Sequence, residues 1–143
     1  MTMATTSTVN ELQSRRNGQR FLIADDQPTM RRILDNVLQQ LGYAPSIGAV
    51  NGNEALQKLA STPVDAIITD WQMPGMNGIE LASRIRQLHY ATIPKIALVT
   101  GYGREEVLKS ADNMQLSDIL LKPINASTLF NSVARLFSDS NEY

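Results

Sequence analysis

The chain has 143 residues, the size of one ordinary domain, and its 43% hydrophobic and 19% charged residues are a globular balance rather than a disordered one. Thirteen Lys/Arg against fourteen Asp/Glu leave a net charge of −1, so no overall field favours nucleic acid or anionic lipid as a partner. The absence of cysteine excludes disulfide scaffolds, thiolate zinc sites and thiol nucleophiles, and the single histidine, His89, excludes a His-based metal site. No apolar run approaches the roughly 18 residues of a membrane span, and Met1–Gln19 is too polar for a signal peptide. The expectation is a soluble, cytoplasmic, single-domain protein with neither a membrane nor a nucleic-acid partner.

Residues 1–19, rich in Thr, Ser, Asn and Gln, read as a flexible polar tail, and Arg15-Arg16 is too short for a nucleic-acid arm. The expected domain runs over residues 20–138, with residues 139–143 a short C-terminal tail. Phe21-Leu22-Ile23-Ala24 is a continuous apolar run and predicts a buried strand, ended by Asp25-Asp26. Met30, Ile33, Leu34, Val37, Leu38 and Leu41 then form a helical stripe. Pro28 suits the first turn of that helix and Gly42 its end, while Arg31-Arg32 read as a solvated face.

Ala44–Val50 makes a poorer strand because Pro45 removes a ladder donor, which suits a sheet edge. A helix over Asn53–Ala60 follows. Val64–Thr69 predicts a third strand ending at Asp70. A loop with Pro74, Gly75 and Gly78 leads from it to a helix carrying Leu81, Ala82, Ile85 and Leu88. In that loop Trp71 and Met73 are expected to pack rather than bind ligand; His89 and the pair Arg84/Arg86 read as surface. Ile96–Val99 ends at Thr100, before a weaker helix near Arg104–Met114. Ile119–Leu121 ends at Lys122-Pro123. Behind an N-cap at Asn125, Ala126, Leu129, Phe130, Val133, Ala134 and Phe137 form the last stripe.

Five strand–helix pairs with continuous apolar strands predict a doubly wound α/β fold, a five-stranded parallel sheet covered on both faces by five helices. Ligand crevices in such sheets lie at the carboxyl ends of the strands. Asp25, Asp26, Asp70, Thr100 and Lys122 all stand at strand ends and therefore converge on one edge. Crowded carboxylates raise one another's pKa unless a cation is present, and oxygen donors of this kind suit Mg²⁺, or Mn²⁺ in its place. Lys122 adds a point charge and Thr100 a hydroxyl that can donate to an oxyanion. Carboxylates accept phosphoryl groups as acyl phosphates, and phosphoryl transfer needs positioning and charge neutralisation more than acid–base groups.

The stretches FLIADDQPTMRRIL over Phe21–Leu34 and TDWQMPGMNG over Thr69–Gly78, with Val99-Thr100 and Leu121-Lys122-Pro123, resemble the receiver domain of two-component response regulators. The first helix is closer to stand-alone chemotaxis regulators, the stretches after Asp70 and Thr100 to receivers of hybrid histidine kinases. The resemblance covers about Arg20 to Phe137 and implies a flavodoxin-like strand order, 2-1-3-4-5. It also implies Asp70 as phosphoacceptor, with Asp26 and Asp70 as direct Mg²⁺ ligands. Asp25 would then bind the ion mostly through water and Gln72 by its backbone carbonyl. Thr100 and Lys122 would contact the phosphoryl oxygens, and Lys122–Pro123 would be a cis peptide. The sequence departs from the family at Ile119, where an aromatic residue usually stands three positions before the lysine; this argues against an aromatic rotamer switch at that position.

The function this implies is a phosphoryl-accepting signalling switch rather than an enzyme. A histidine kinase or a histidine phosphotransfer protein would donate the phosphoryl group. No effector domain is expected after Phe137, and output is expected through a downstream protein target or onward phosphotransfer. Two alternatives stand beside it: a Mg²⁺-dependent phosphohydrolase with an aspartyl-phosphate intermediate, and a docking module that keeps the fold without being phosphorylated. The first usually carries a second Asp two positions after the nucleophile, where this chain has Gln72. A flavin or nucleotide module on the same fold is disfavoured, because Asp25-Asp26-Gln27-Pro28 stands where a Gly-rich phosphate loop would.

Overall fold

The computed structural model describes residues 18–88, 93–101 and 116–138. Five strands form one parallel sheet: β1 (Phe21–Ala24), β2 (Ile47–Ala49), β3 (Ala66–Asp70), β4 (Lys95–Thr100) and β5 (Asp118–Leu121). Their spatial order is β2-β1-β3-β4-β5, the expected one. Among the described residues there are four helices: α1 (Pro28–Gln40), α2 (Gly52–Ser61), α3 (Gly78–Arg86) and α4 (Ala126–Ser138). The further helix expected near Arg104–Met114, and His89, lie outside the described residues.

The sheet's two faces sort by the two-residue period of a strand. Phe21 and Ile23, with Ile68, Val99 and Leu120, face Leu34 and Leu38 of α1 and Leu129, Val133 and Leu136 of α4. Leu22 and Ala24, with Ile67 and Ile96, face Ala55 and Leu59 of α2 and Leu81, Ala82 and Ile85 of α3. A residue such as Leu38 or Leu81, with none of its surface exposed, contributes about 1.5–3 kcal/mol by burial. At the end of the sheet away from the strands' carboxyl ends, Phe21 meets Tyr43 and Phe137 edge-on, with ring centroids 5.0 and 5.7 Å away.

Helix ends follow the local chemistry. Pro28 opens α1, and Gly42, at φ 103°, takes the left-handed turn after it. Asn51 caps α2 by accepting from the Glu54 amide at 2.8 Å. Asn77 and Glu80 form a reciprocal capping box on α3, at 2.8 and 3.0 Å. The Asn125 side chain accepts from the Thr128 amide at 2.8 Å, as the N-cap reading predicts. The strand expected over Ala44–Val50 is shorter, the three-residue edge strand β2, with Pro45 outside it, and the Lys122–Pro123 peptide is cis.

The last helix departs from its sequence reading. Phe130 and Ala134, expected on the buried stripe, are exposed, and Ser132 and Leu136 are buried instead. The cause is polar. Asp118 is buried at the start of β5, where its Oδ2 accepts from Ser132 Oγ at 2.6 Å and from Arg135 Nη2 at 2.7 Å. Those two bonds fix the rotation of α4 about its axis, because a buried carboxylate without donors is far costlier than an exposed phenyl ring.

Candidate functional site

Each strand's apolar run ends where its backbone reaches the rim of the sheet, and the polar residues begin there. Asp25 follows β1 directly; its amide makes the last bond to β2, donating to the Ala49 carbonyl at 3.0 Å. Its Oδ1 accepts from the Gln27 amide at 2.9 Å, which turns the chain into α1. Asp26 beside it is exposed. Asp70 is the last residue of β3 and Thr100 the last of β4, and Asp70 lies in register with Val99. Lys122 follows β5, its amide donating to the Thr100 carbonyl at 2.8 Å.

The backbone of Asp70 is held from several sides. Its carbonyl accepts from Thr69 Oγ1 at 3.0 Å, and the next amide, Trp71, donates to the Val99 carbonyl at 2.9 Å. The Gly78 amide donates to the Trp71 carbonyl at 2.8 Å, bringing the start of α3 against β3. A Cβ at Gly78 would collide with the Asp70 carbonyl oxygen and come within 2.7 Å of Leu98 Cδ1. Glycine is therefore required there by the close approach of two backbones.

One carboxylate oxygen from each of Asp25, Asp26 and Asp70 lies within 4.8 Å of the other two. Asp25 is 2% and Asp70 7% exposed. Burial pushes the Asp25 carboxyl above its usual range, and the charges of Asp70 and Asp26 push it further, against the Gln27 hydrogen bond and the charge of Lys122. Burial raises Asp70 too, with Asp26 adding to it, while Lys122 opposes the shift from 3.3 Å away at Oδ1. Among the described residues, the one ammonium at this edge, Lys122, does not balance three carboxylates. Three oxygen donors so close, two of them reluctant to ionise, suit a hard divalent cation that keeps part of its water shell.

The rim thus brings together Asp25, Asp26, Asp70 and Lys122, with Thr100 on the neighbouring strand end; Gln72 is exposed on the loop after β3. Met73 is buried with the α2–α3 face and Trp71 packs on Leu98 and Ile119, as expected of loop-packing residues. Ile119 is 8% exposed in that same small cluster. Arg31 is a correction. It was expected on a solvated face, but it is half-buried and its Nη1 donates to the Asp25 carbonyl at 2.6 Å. Sequence reasoning missed this bond, although a signal existed: a cation in the first turns of a helix opposes the helix dipole, so it calls for a partner elsewhere.

A parallel sheet of order 2-1-3-4-5 with an acidic cluster and a lysine at its carboxyl rim defines an α/β protein whose site is built at the topological switch point between β1 and β3. The chain belongs to the response regulator receiver domain family, whose model matches residues 21–134. It is 38% identical over 112 residues to the chemotaxis protein CheY1 of Helicobacter pylori, covering 77% of this chain and 90% of that one. Among solved structures it is similar to the chemotaxis protein CheY4 of Vibrio cholerae, with TM-score 0.76, 29% identity, and 82% of this chain and 98% of that one covered. It is also similar to the receiver domain of a signal transduction histidine kinase from Syntrophus aciditrophicus, with TM-score 0.75 and 30% identity, covering 87% and 94% of the two chains.

Proposed function

We propose that this receiver domain accepts a phosphoryl group on Asp70 from a phosphohistidine of a histidine kinase or histidine phosphotransfer protein. The observation that carries the proposal is the cluster of three carboxylates beside Lys122. In the transfer, an Asp70 carboxylate oxygen attacks phosphorus. A P–O bond forms as the P–N bond of the donor breaks, and the bonding electron pair stays on the imidazole, which takes up a proton. The product is an acyl phosphate, with a charge of about −1.5 to −2 by analogy with other phosphoryl groups.

The chain's own groups meet that charge. The Lys122 ammonium, now on Asp70 Oδ1, is within reach of phosphoryl oxygens, and the Thr100 hydroxyl can donate to one. Asp25, Asp26 and Asp70, with the Gln72 carbonyl, would hold Mg²⁺, which when bound neutralises charge on the transferring group. Asp70 is nearly buried, beside buried Asp25, so little bulk water reaches the reacting carboxyl. No carboxylate stands two residues after Asp70 to serve a phosphohydrolase, since Gln72 occupies that place. The domain works as a switch in the cytoplasm, passing its state to a protein target or its phosphoryl group to another histidine.

The test uses the single tryptophan, which directly follows the acceptor. With Mg²⁺ and a small acyl phosphate or beryllofluoride, Trp71 fluorescence of the native protein should change, and Asp70→Asn should show no response. An equal response in Asp70→Asn would refute the assignment.

A further inference from the structure

Helix α1 meets the β1–β2 edge of the sheet through two polar side chains one turn apart. Asp35 Oδ1 accepts from both the amide (2.8 Å) and the hydroxyl (2.6 Å) of Ser46, just before β2. One turn earlier, Arg31 Nη1 donates to the carbonyl of Asp25 at 2.6 Å, and its stem crosses Gly48 of β2. A Cβ at Gly48 would sit 3.5 Å from Arg31 Cδ, so the arginine lies flat on the strand in van der Waals contact. The α1 N-terminus has no side-chain cap, and no acidic residue occupies its first turn. Arg31 is therefore not placed there to suit the helix dipole.

What the bond does suit is the turn that carries Asp25 and Asp26. That turn is fixed at the Asp25 amide by Ala49, at the Asp25 carboxylate by the Gln27 amide, and at the Asp25 carbonyl by Arg31. Ala49 and Arg31 together hold the two ends of the Asp25 backbone unit, which sets where its side chain and that of Asp26 point. A charge-assisted bond to a carbonyl is short and directional, and donors behind a ligand orient it.

We propose that Arg31 is a positioning residue for the acidic cluster: through the Asp25 carbonyl it holds the Asp25-Asp26 turn in the arrangement that binds a divalent cation. This rests on the reading of the rim as a cation and phosphoryl site. Arg31 touches neither, and acts through the backbone. Its neighbour Arg32 is exposed and supplies the same charge without the bond, so the two separate hydrogen bonding from long-range electrostatics.

The experiment compares native protein, Arg31→Ala, Arg31→Lys and Arg32→Ala in two measurements. Without metal, amide exchange at Gln27, whose N–H bonds to Asp25 Oδ1, reports the turn directly. It should quicken about tenfold in Arg31→Ala, relative to core amides such as Ile67 and Leu98, and stay native in Arg32→Ala. In Mg²⁺ titrations, Arg31→Ala should bind about 10–100-fold more weakly, Arg31→Lys should recover part of the loss, and Arg32→Ala should bind within about twofold of native. Native exchange together with native Mg²⁺ affinity in Arg31→Ala would overturn the inference, as would equal losses in Arg31→Ala and Arg32→Ala. If the native protein binds no Mg²⁺, the cation reading of the rim falls, and the exchange comparison alone decides whether Arg31 holds the turn. Should Arg31→Ala not fold, Arg31→Lys takes its place, and unchanged Gln27 exchange there with unchanged Mg²⁺ affinity counts against the role.

Discussion

Replacing Asp25 by Asn should make the metal-free protein more stable, although it alters a residue that is 2% exposed. The carboxylate oxygens of Asp25, Asp26 and Asp70 come within 4.8 Å of one another. At that separation one pair of unit charges repels by about 1 kcal/mol in a water-like dielectric and about 3.5 kcal/mol at an effective dielectric of 20. Asp25→Asn removes two such repulsions, the larger from Asp70, and loses an attraction to Lys122 that lies between the two. Asn keeps the oxygen that accepts from the Gln27 amide and adds an amide donor facing the remaining carboxylates. A net gain of about 1–3 kcal/mol follows, raising Tm by about 3–10 °C in a chain of this size.

The sign with pH is fixed by the direction of the shift. The Asp25 pKa is raised in the folded protein above its ordinary 3.8. Its favourable contribution is therefore complete below 3.8 and is lost as pH rises through the folded value. The advantage of Asp25→Asn should be full above the raised folded value, fade as pH falls through it, and be gone below 3.8, where the Asp25 carboxyl is neutral in folded and unfolded chains alike. Mg²⁺ acts in the opposite sense: native protein should gain about 2.7 kcal/mol at a hundred times its Kd, and the variant much less. Thermal unfolding of both proteins, with chelator and with Mg²⁺, reads all of this. A metal-free variant that melts at or below the native temperature would refute the reasoning.

Gly78→Ala should cost about 1–3 kcal/mol, because its Cβ would collide with the Asp70 carbonyl and Leu98, and it should slow phosphorylation by displacing Asp70. Gly101→Ala, in open space, should leave thermal stability within about 1 kcal/mol of native in the same melt; equal effects at the two sites would discount the collision. Asp35 is held below its ordinary range: burial pushes it up, but the bonds from Ser46 and Gln39 outweigh that. Its contribution is present above 3.8 and lost as pH falls through the lowered folded value, so Asp35→Asn should destabilise at pH 7 and converge with native in acid unfolding once pH lies below that value. Arg135→Met should cost about 1–2 kcal/mol in denaturant unfolding by removing a donor from buried Asp118, and a neutral result would mean that Ser132 alone suffices.

What the sequence made legible was whatever depends on local pattern. β1 is Phe21–Ala24 as the apolar run predicts, the short strand after Pro45 lies at an edge, and Asp25, Asp26, Asp70 and Lys122 meet because parallel strands deliver their carboxyl ends to one rim. What it hid depends on side chains that cross between elements. Arg31 looks like one more solvated helix residue until Gly48 and the Asp25 carbonyl are seen beneath it. Asp118 looks like a strand boundary, yet its bonds to Ser132 and Arg135 turn α4 and leave Phe130 outside. Hydrophobic periodicity alone could not supply that rotation, since a buried ion's need for donors overrides the preference of a phenyl ring for the core.

The most direct test of the central claim is the intact mass of the protein after incubation with a small acyl phosphate, with Mg²⁺ and with chelator, for native protein and Asp70→Asn. The account predicts one added phosphoryl group in the native protein, only with Mg²⁺, and none in Asp70→Asn. The same adduct on Asp70→Asn, or an adduct on native protein indifferent to Mg²⁺, would contradict it.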